Sequence, residues 1–307
     1  MQITGSQWRW QLLKPRYWGL WLGIGLLWLL VQLPYPLLYR LGRRLGRCSM
    51  RFAHRRLHIT RCNLQQCFPN LTLQQQQQLL IDSFESAGLG VIECGMAWFW
   101  SNRRINQWCT LSGTDAISNL QQIQQGILLI GIHFFSLELG ARVFGLRFPG
   151  IGVYRPHNNP LLEWLQVRGR LRSNKALINR KNIKGMVKQL KRGAILWYAP
   201  DHDYGPNNSV FVPFFAVKQA ATTLGTHFLV RHANPAVVLF TPLRHPEGQG
   251  YSVMLQPPLA TPLPADPVAA TTLMNQAIET EILRAPGQYM WLHRRFKTRP
   301  VGEPCVY

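Results

Sequence analysis

The stretch Gly126–Gly145, GILLIGIHFFSLELGARVFG, decides how the chain is to be read. Gly126 to Ile132 is a short apolar, partly β-branched run after a polar loop, which predicts a buried strand. Ser136 to Leu146 follows with helical spacing at Leu137, Ala141 and Phe144. His133 then stands at the strand's exit. Residues five apart on one regular helix point about 140° away from each other, so His133 and Glu138 can pair only if the histidine precedes the helix. A strand-to-helix turn supplies that arrangement. Ser136 is the expected N-cap, which puts Glu138 in the first turn, where the helix dipole favours an ionised carboxylate. An ionised Glu138 would orient His133 as a base. Taken alone, an H-x-x-x-x-E spacing also fits a core histidine beside an ordinary first-turn glutamate.

Working outward, the same alternation recurs. Ile151 to Tyr154 reads as a second strand ending at Arg155, and Asn158 to Arg172 as a helix followed by a basic loop through Lys175. Lys181 to Arg192 reads as a basic amphipathic helix, and Ala194 to Tyr198 as a third strand running into Pro200-Asp201-His202-Asp203. In open α/β sheets, ligands bind outside the carboxyl ends of strands. Arg155 and one of Arg170 and Arg172 are therefore candidates to meet phosphates or a developing oxyanion, although each could equally be a surface arginine of a basic protein. Asp201, His202 and Asp203 raise a metal site, but consecutive residues rarely converge on one ion and no further carboxylate cluster completes a shell. No metal is expected. The last third predicts a helix at Ala220 to His232, strands near Val237 to Thr241 and Tyr251 to Leu255, and a helix at Ala269 to Leu283.

Upstream, Tyr17 to Leu33 holds seventeen residues without a charge, which as helix would span roughly 26 Å against a hydrocarbon core of about 30 Å. Lys14 and Arg16 precede it and Arg40, Arg43, Arg44 and Arg47 follow, an asymmetry that puts the following loop in the cytosol. A membrane anchor over residues 1–40 is expected. A cleaved signal peptide and a monotopic helix lying in the interface are the competing readings. Arg40 to Arg61 is a basic helical stretch suited to anionic headgroups, Thr72 with Gln75 resembles a capping box, and Met96 to Trp100 is either core or an acyl-chain contact.

The 307 residues, 47% of them hydrophobic, are enough for one domain over 41–307 beside the anchor. Thirty-four Lys and Arg against thirteen Asp and Glu give a net charge of +21, which requires an acidic partner: nucleic acid, an anionic membrane surface, an acidic protein or a polyanionic substrate. Eleven tryptophans and the apolar N-terminal segment favour the membrane over nucleic acid. The six cysteines form no C-x-x-C pair and read as reduced thiols. The absence of a G-x-S-x-G elbow, an H-E-x-x-H pair, a Walker loop and a G-x-G-x-x-G turn argues against a serine acyl-enzyme, a zinc hydrolase and a nucleotide fold.

Essentially the whole chain resembles the late acyltransferases of lipid A biosynthesis. The residues that carry the resemblance are KPRYWGLWLGIGLLWLLVQLPYP from Lys14, NLQQCFPN from Asn63, GMAWFW from Gly95, GIHFFSLELGAR from Gly131, YRPHNNP from Tyr154, GRLRSNKA from Gly169, YAPDHDYGP from Tyr198, FVPFFAV from Phe211 and QYMWLHRRFKTRP from Gln288. More distant relatives place asparagine directly before the histidine, a slot filled here by Ile132. The resemblance implies an α/β fold, a single mixed-sheet acyltransferase domain with an N-terminal hydrophobic membrane helix. It implies His133 and Glu138 as the catalytic pair, and Asp201 in a motif shaping the acceptor pocket. It further implies transfer of a fatty acyl group, lauroyl first and palmitoleoyl second, from acyl carrier protein to a hydroxyacyl chain of Kdo(2)-lipid IV(A), at the bacterial inner membrane, with the catalytic domain cytoplasmic.

No cofactor is expected beyond that acyl donor. A direct route suits such a site: His133 takes the acceptor hydroxyl proton, the oxygen attacks the thioester carbonyl, and the carrier thiol leaves. The alternatives are a glycerolipid acyltransferase, whose dyad acid is typically aspartate, and a non-catalytic basic protein binding membrane or nucleic acid.

Overall fold

The computed structural model describes residues 2–260 and 262–307; Met1, the first residue of the expected anchor, and Thr261 lie outside them. The chain starts at the edge of its own sheet with β1 (Gln2–Ile3) and enters a short apolar helix, α1 (Trp18–Leu30). Three longer helices follow, α2 (Tyr35–Ser49), α3 (His54–Cys67) and α4 (Leu73–Phe99), and then α5 (Asn102–Trp108), β2 (Cys109–Ser112) and α6 (Thr114–Gln122). The alternating section is β3 (Ile127–Gly131), α7 (Leu137–Arg147), β4 (Ile151–Tyr154), α8 (Pro160–Arg170), β5 (Ala176–Asn179), α9 (Ile183–Leu190) and β6 (Ile195–Tyr198). A hairpin of β7 (Ser209–Phe214) and β8 (Val217–Thr223) leads into α10 (Gly225–Ala233), β9 (Ala236–Arg244), β10 (Tyr251–Leu255) and α11 (Pro267–Ile282).

Eight strands form one mixed sheet in the order β1-β5-β4-β6-β3-β9-β10-β2. The five central strands run parallel, while β1 and β10 join antiparallel to their neighbours β5 and β9. β3 is central because it is apolar on both faces: Leu128 and Ile130 pack into the core on one side, Ile127 and Leu129 into the core on the other, all four fully buried. Each such side chain stabilises the fold by roughly 1.5–3 kcal/mol. Ile132, in the slot where distant relatives place asparagine, is fully buried in the first of these cores.

The long α4 joins the N-terminal helices to the sheet. Its Thr72–Gln75 capping box forms as expected. Against α2 the two backbones nearly touch, since a Cβ on Gly46 would stand 2.1 Å from the Phe84 carbonyl oxygen and one on Gly88 2.3 Å from that of Gly42. Arg43 and Arg47 of α2 pair with Glu85 of α4 across this seam. Deeper in, Glu93 of α4 accepts from Arg244 Nε at 2.6 Å and from the Tyr251 hydroxyl at 2.8 Å, tying the helix to β9 and β10.

The expected membrane-spanning segment is corrected by the structure. α1 has thirteen residues, about 20 Å of helix, and no helix among the described residues is long and apolar enough to cross a membrane. Pro34 fixes the turn that ends the segment, and α2 starts at Tyr35. α1 nevertheless buries none of its residues fully and leaves Trp18, Leu22, Leu26, Trp28 and Leu29 exposed. Elsewhere Ala220 to His232 is not one helix. Its first part is β8, and the helix starts only at Gly225. The basic stretch Arg40 to Arg61 is two helices separated by a turn at 50–53. All six cysteines are free.

Candidate active site

β3, β6, β4 and β5 run parallel, so their carboxyl ends open on one edge of the sheet, as the sequence led us to expect. β3 and β6 are neighbours, with Ile130 opposite Tyr198. His133 and Asp201 each lie three residues past that pair, and these equal offsets on adjacent strands bring them together. Asp201 is fully buried, and its carboxylate accepts twice from one residue: from the His133 backbone N–H at 2.9 Å and from the ring Nδ1 at 2.7 Å. Burial alone would raise the Asp201 carboxyl. The charge and hydrogen bonds of His133, helped by His202, outweigh burial and hold it well below the usual carboxylate range. Asp201 is therefore an anion that fixes the Nδ1–H tautomer, which leaves Nε2 of a partly exposed ring as the nitrogen free to exchange a proton.

The expected pair of His133 with Glu138 does not form. Glu138 does lie in the first turn of α7, but its carboxylate faces the ends of α4 and α8. It accepts from Arg170 Nε at 2.9 Å and Nη2 at 2.7 Å, and from the Trp98 indole at 2.9 Å. Burial acts to raise this carboxyl too, and Arg170 and Trp98 together turn the net shift downward. Ser136 occupies the N-cap position without capping; its hydroxyl donates instead to the Pro242 carbonyl at 2.8 Å. Asp201 thus takes the His133 ring where Glu138 was expected to, and Glu138 is paired with Arg170 instead.

Of the arginines, Arg170 is turned inward to Glu138 through both Nε and Nη2, whereas Arg155 is exposed past the end of β4 and takes no ion pair among the described residues. Arg172, the alternative to Arg170, donates to the carbonyls of Trp98 and Trp100 and so fixes the end of α4 that presents the indole.

His202 and Asp203, which the sequence raised only as possible metal ligands, and His293 and Asn63, which it did not single out, complete the site. His202 lies flat on His133, ring centroids 3.5 Å apart and planes 13° from parallel, and His293 lies on the other face of His202 at 3.9 Å and 10°. The segment carrying His293 is pinned to the turn that bears His133: Met290 N–H donates to the His133 carbonyl at 2.9 Å and Phe135 N–H to that of Gln288 at 2.9 Å. Asn63 of α3 donates to the carbonyls of Trp291 at 2.6 Å and His293 at 2.7 Å, and Asp203 accepts from Thr298 N–H and Oγ1 at 2.8 and 2.9 Å. His133, Asp201 and His202 bring possible metal donors within 4.8 Å of one another. Nearly parallel stacked rings direct their in-plane lone pairs side by side, however, and not toward one tetrahedral centre.

The site therefore offers an oriented imidazole at a strand exit, a buried anion behind it, a locked Glu138–Arg170 pair beside it and a free arginine on the same edge. That set suits a proton transfer at Nε2 next to a bound polyanion. Comparison with known proteins gives the family. The chain is 55% identical over 96% of its length to "Lipid A biosynthesis lauroyltransferase" of Escherichia coli (strain K12), covering 97% of that protein. It is 48% identical, covering 97% of each chain, to the palmitoleoyltransferase of lipid A biosynthesis from the same strain. It is 25% identical over 95% of its length to that strain's myristoyltransferase, covering 91% of it. The profile of the bacterial lipid A biosynthesis acyltransferases matches residues 6–298, and with these identities along its whole length the chain is an acyltransferase of that family.

Proposed function

We propose that the protein transfers a lauroyl group from acyl carrier protein to the hydroxyl of a hydroxyacyl chain on Kdo(2)-lipid IV(A). The observation that carries the lauroyl assignment is the 55% identity, without large gaps in coverage, to a lauroyltransferase. Palmitoleoyl transfer to the same acceptor is the second reading, carried by the 48% identity.

In this mechanism His133 Nε2 takes the proton of the acceptor hydroxyl as its oxygen bonds to the thioester carbonyl carbon. Asp201 stabilises the imidazolium that forms. Collapse of the tetrahedral adduct breaks the carbon–sulfur bond, and the imidazolium returns its proton to the departing thiolate. No acyl-enzyme is needed, because a thioester already carries a good leaving group. Glu138 and Arg170, locked to each other, give the catalytic turn a fixed wall, and Arg155 is the free cation for the acceptor's acidic groups. Both substrates are acidic, which gives the net charge of +21 a role in attracting them.

We further propose that residues 1–40 seat the enzyme on the cytoplasmic face of the inner membrane. α1 would lie in the interface, its exposed Trp18, Leu22, Leu26 and Leu29 facing lipid and the arginines of α2 facing anionic headgroups.

The test is a transfer assay with purified protein, detergent-dispersed Kdo(2)-lipid IV(A), and acyl carrier protein bearing lauroyl, myristoyl or palmitoleoyl groups, with products read by mass spectrometry. Lauroyl transfer at least about tenfold faster than the others supports the assignment. A faster palmitoleoyl arm replaces it with the second reading, and no transfer from any carrier-bound donor refutes both.

A further inference from the structure

We infer that His202 and His293 are positioning residues for His133: the three imidazoles form one stack whose flat faces hold the His133 ring in the plane set by Asp201 and support the positive charge that ring gains during transfer. This rests on the reading in which His133 is the base.

Asp201 holds the His133 side chain by a single ring contact, Nδ1 to Oδ1. One in-plane hydrogen bond leaves a ring free to rock about the bond's axis, which would swing Nε2 out of line with a reacting hydroxyl. A second ring 3.5 Å away and 13° from parallel removes that freedom, and the third ring at 3.9 Å and 10° backs the second in turn. The short segment Asp201-His202-Asp203 is built for this. Asp201 faces His133, Asp203 faces Thr298, and His202 between them enters the gap between the other two rings. The outer ring is fixed through its backbone, since Asn63 holds the carbonyls on both sides of Leu292.

The stack also has a defined charge. His202 Nε2 is buried with no hydrogen-bond partner, and burial pushes this imidazole well below its ordinary range. Burial, then the neighbouring His133 and Lys297, pushes His293 down to about 4. Arg295 and Lys297 add positive charge to the surroundings, while Asp201 and Asp203 are the anions facing the stack. His202 and His293 are therefore uncharged rings against the one that touches Asp201. A neutral aromatic face against a cation is favourable, so the stack assists protonation of His133. The role requires the ring face of His202 and makes no use of its buried nitrogen.

Replacing the ring while keeping or losing its face tests this. His202→Phe should keep kcat within about threefold of the parent and melt no lower, because an unpaired buried nitrogen is removed. His202→Leu should lower kcat between about ten- and a hundredfold with KM changed less than about threefold, as expected for a misaligned base. In histidine-labelled protein titrated by NMR, which needs no turnover, His202→Leu should move the His133 pKa down by about half a unit. Equal losses in the Phe and Leu variants would assign the role to the nitrogen and overturn the proposal. A normal rate and an unmoved His133 titration in His202→Leu would overturn it as well. If His202→Leu does not fold, the His293→Phe and His293→Leu pair reads the same contrast one ring further out. His133→Ala is the control: if it stays active the base reading fails, and the NMR shift alone then decides whether the stack acts on His133.

Discussion

Replacing Asp201 with Asn is the substitution that most sharply separates the observed site from an H-x-x-x-x-E dyad. The carboxylate accepts two N–H groups of one histidine, at 2.9 and 2.7 Å. An asparagine carbonyl can satisfy one of them, and its NH2 then faces the other donor. If the backbone bond is kept, the ring must turn its unprotonated nitrogen to the amide, which puts the hydrogen on Nε2 and abolishes the base. The charge that stabilises the imidazolium is lost in the same step. General-base catalysis is worth about 10²–10⁴-fold, and an oriented imidazole that loses its carboxylate falls near the upper end of that range. We expect kcat to fall 10²–10⁴-fold, about 3–5 kcal/mol of transition-state stabilisation, with KM changed less than about threefold. The assay is lauroyl transfer to detergent-dispersed acceptor under saturating donor, with circular dichroism and a thermal melt to show that the variant is folded. His133→Ala combined with Asp201→Asn should be no more than about threefold slower than His133→Ala alone, since the two act as one unit. A folded Asp201→Asn enzyme that keeps more than about a third of the parent rate, or a double variant whose losses multiply, would refute the assignment.

Four further outcomes follow from the geometry. Glu138→Gln and Arg170→Gln should each destabilise the protein and be strongly non-additive when combined, with a coupling of about 1–3 kcal/mol in a double-mutant cycle of denaturant melts, because each leaves the other's charge without its partner; additive losses would mean that the pair is not a unit. Gly46→Ala should cost about 1–3 kcal/mol in the same melts, since its Cβ would lie 2.1 Å from the Phe84 carbonyl, and an unchanged midpoint would disprove the close α2–α4 seam. His293 is held at about 4 against an ordinary 6.5, so the unfolded chain binds the extra proton between those values. Stability is then full above about 6.5 and falls by up to roughly 3 kcal/mol as the pH drops toward 4, and His293→Phe should flatten that fall in melts across the window. Leu22→Ser with Leu26→Ser should weaken binding to anionic vesicles in high salt, where basic residues are screened, and binding that stays unchanged in sedimentation would remove α1 from the membrane contact.

The sequence displayed the strands that matter most and concealed how they sit. β3, β4 and β6 were readable because each is an apolar run of normal strand length that ends in a polar group, and His133, Arg155 and Asp201 follow directly from those ends. That β6 lies beside β3 is a tertiary fact with no local signal, so the anion nearest in sequence, Glu138, was taken as the partner of His133 in place of the one nearest in space. The equal offset of His133 and Asp201 from paired residues could have suggested the contact once adjacency was supposed. β5 was missed because only three apolar residues, Ala176 to Ile178, stand between Lys175 and the polar Asn179, whereas the runs of β3, β4 and β6 are longer. Ala220 to His232 misled because Ala221, Leu224 and Phe228 mimic helical spacing across the junction of β8 and α10. The anchor's length was misjudged because a count of uncharged residues from Tyr17 to Leu33 takes no account of where the helix itself stops, at Leu30. Trp98 was read as core or acyl contact, and its indole hydrogen bond to Glu138 depends on the distant Arg172 that fixes the end of its helix.

The pinning of residues 288–298 onto the turn that bears His133 has a consequence for biosynthesis. Translation releases the apolar α1 well before Met290, His293 and Thr298, which fasten His133, His202 and Asp203. A nascent chain therefore has its exposed apolar helix long before the ring of His133 is held in place. Until residues 288–298 have been made, His133 and its turn lack the backbone hydrogen bonds and the ring stack that hold them.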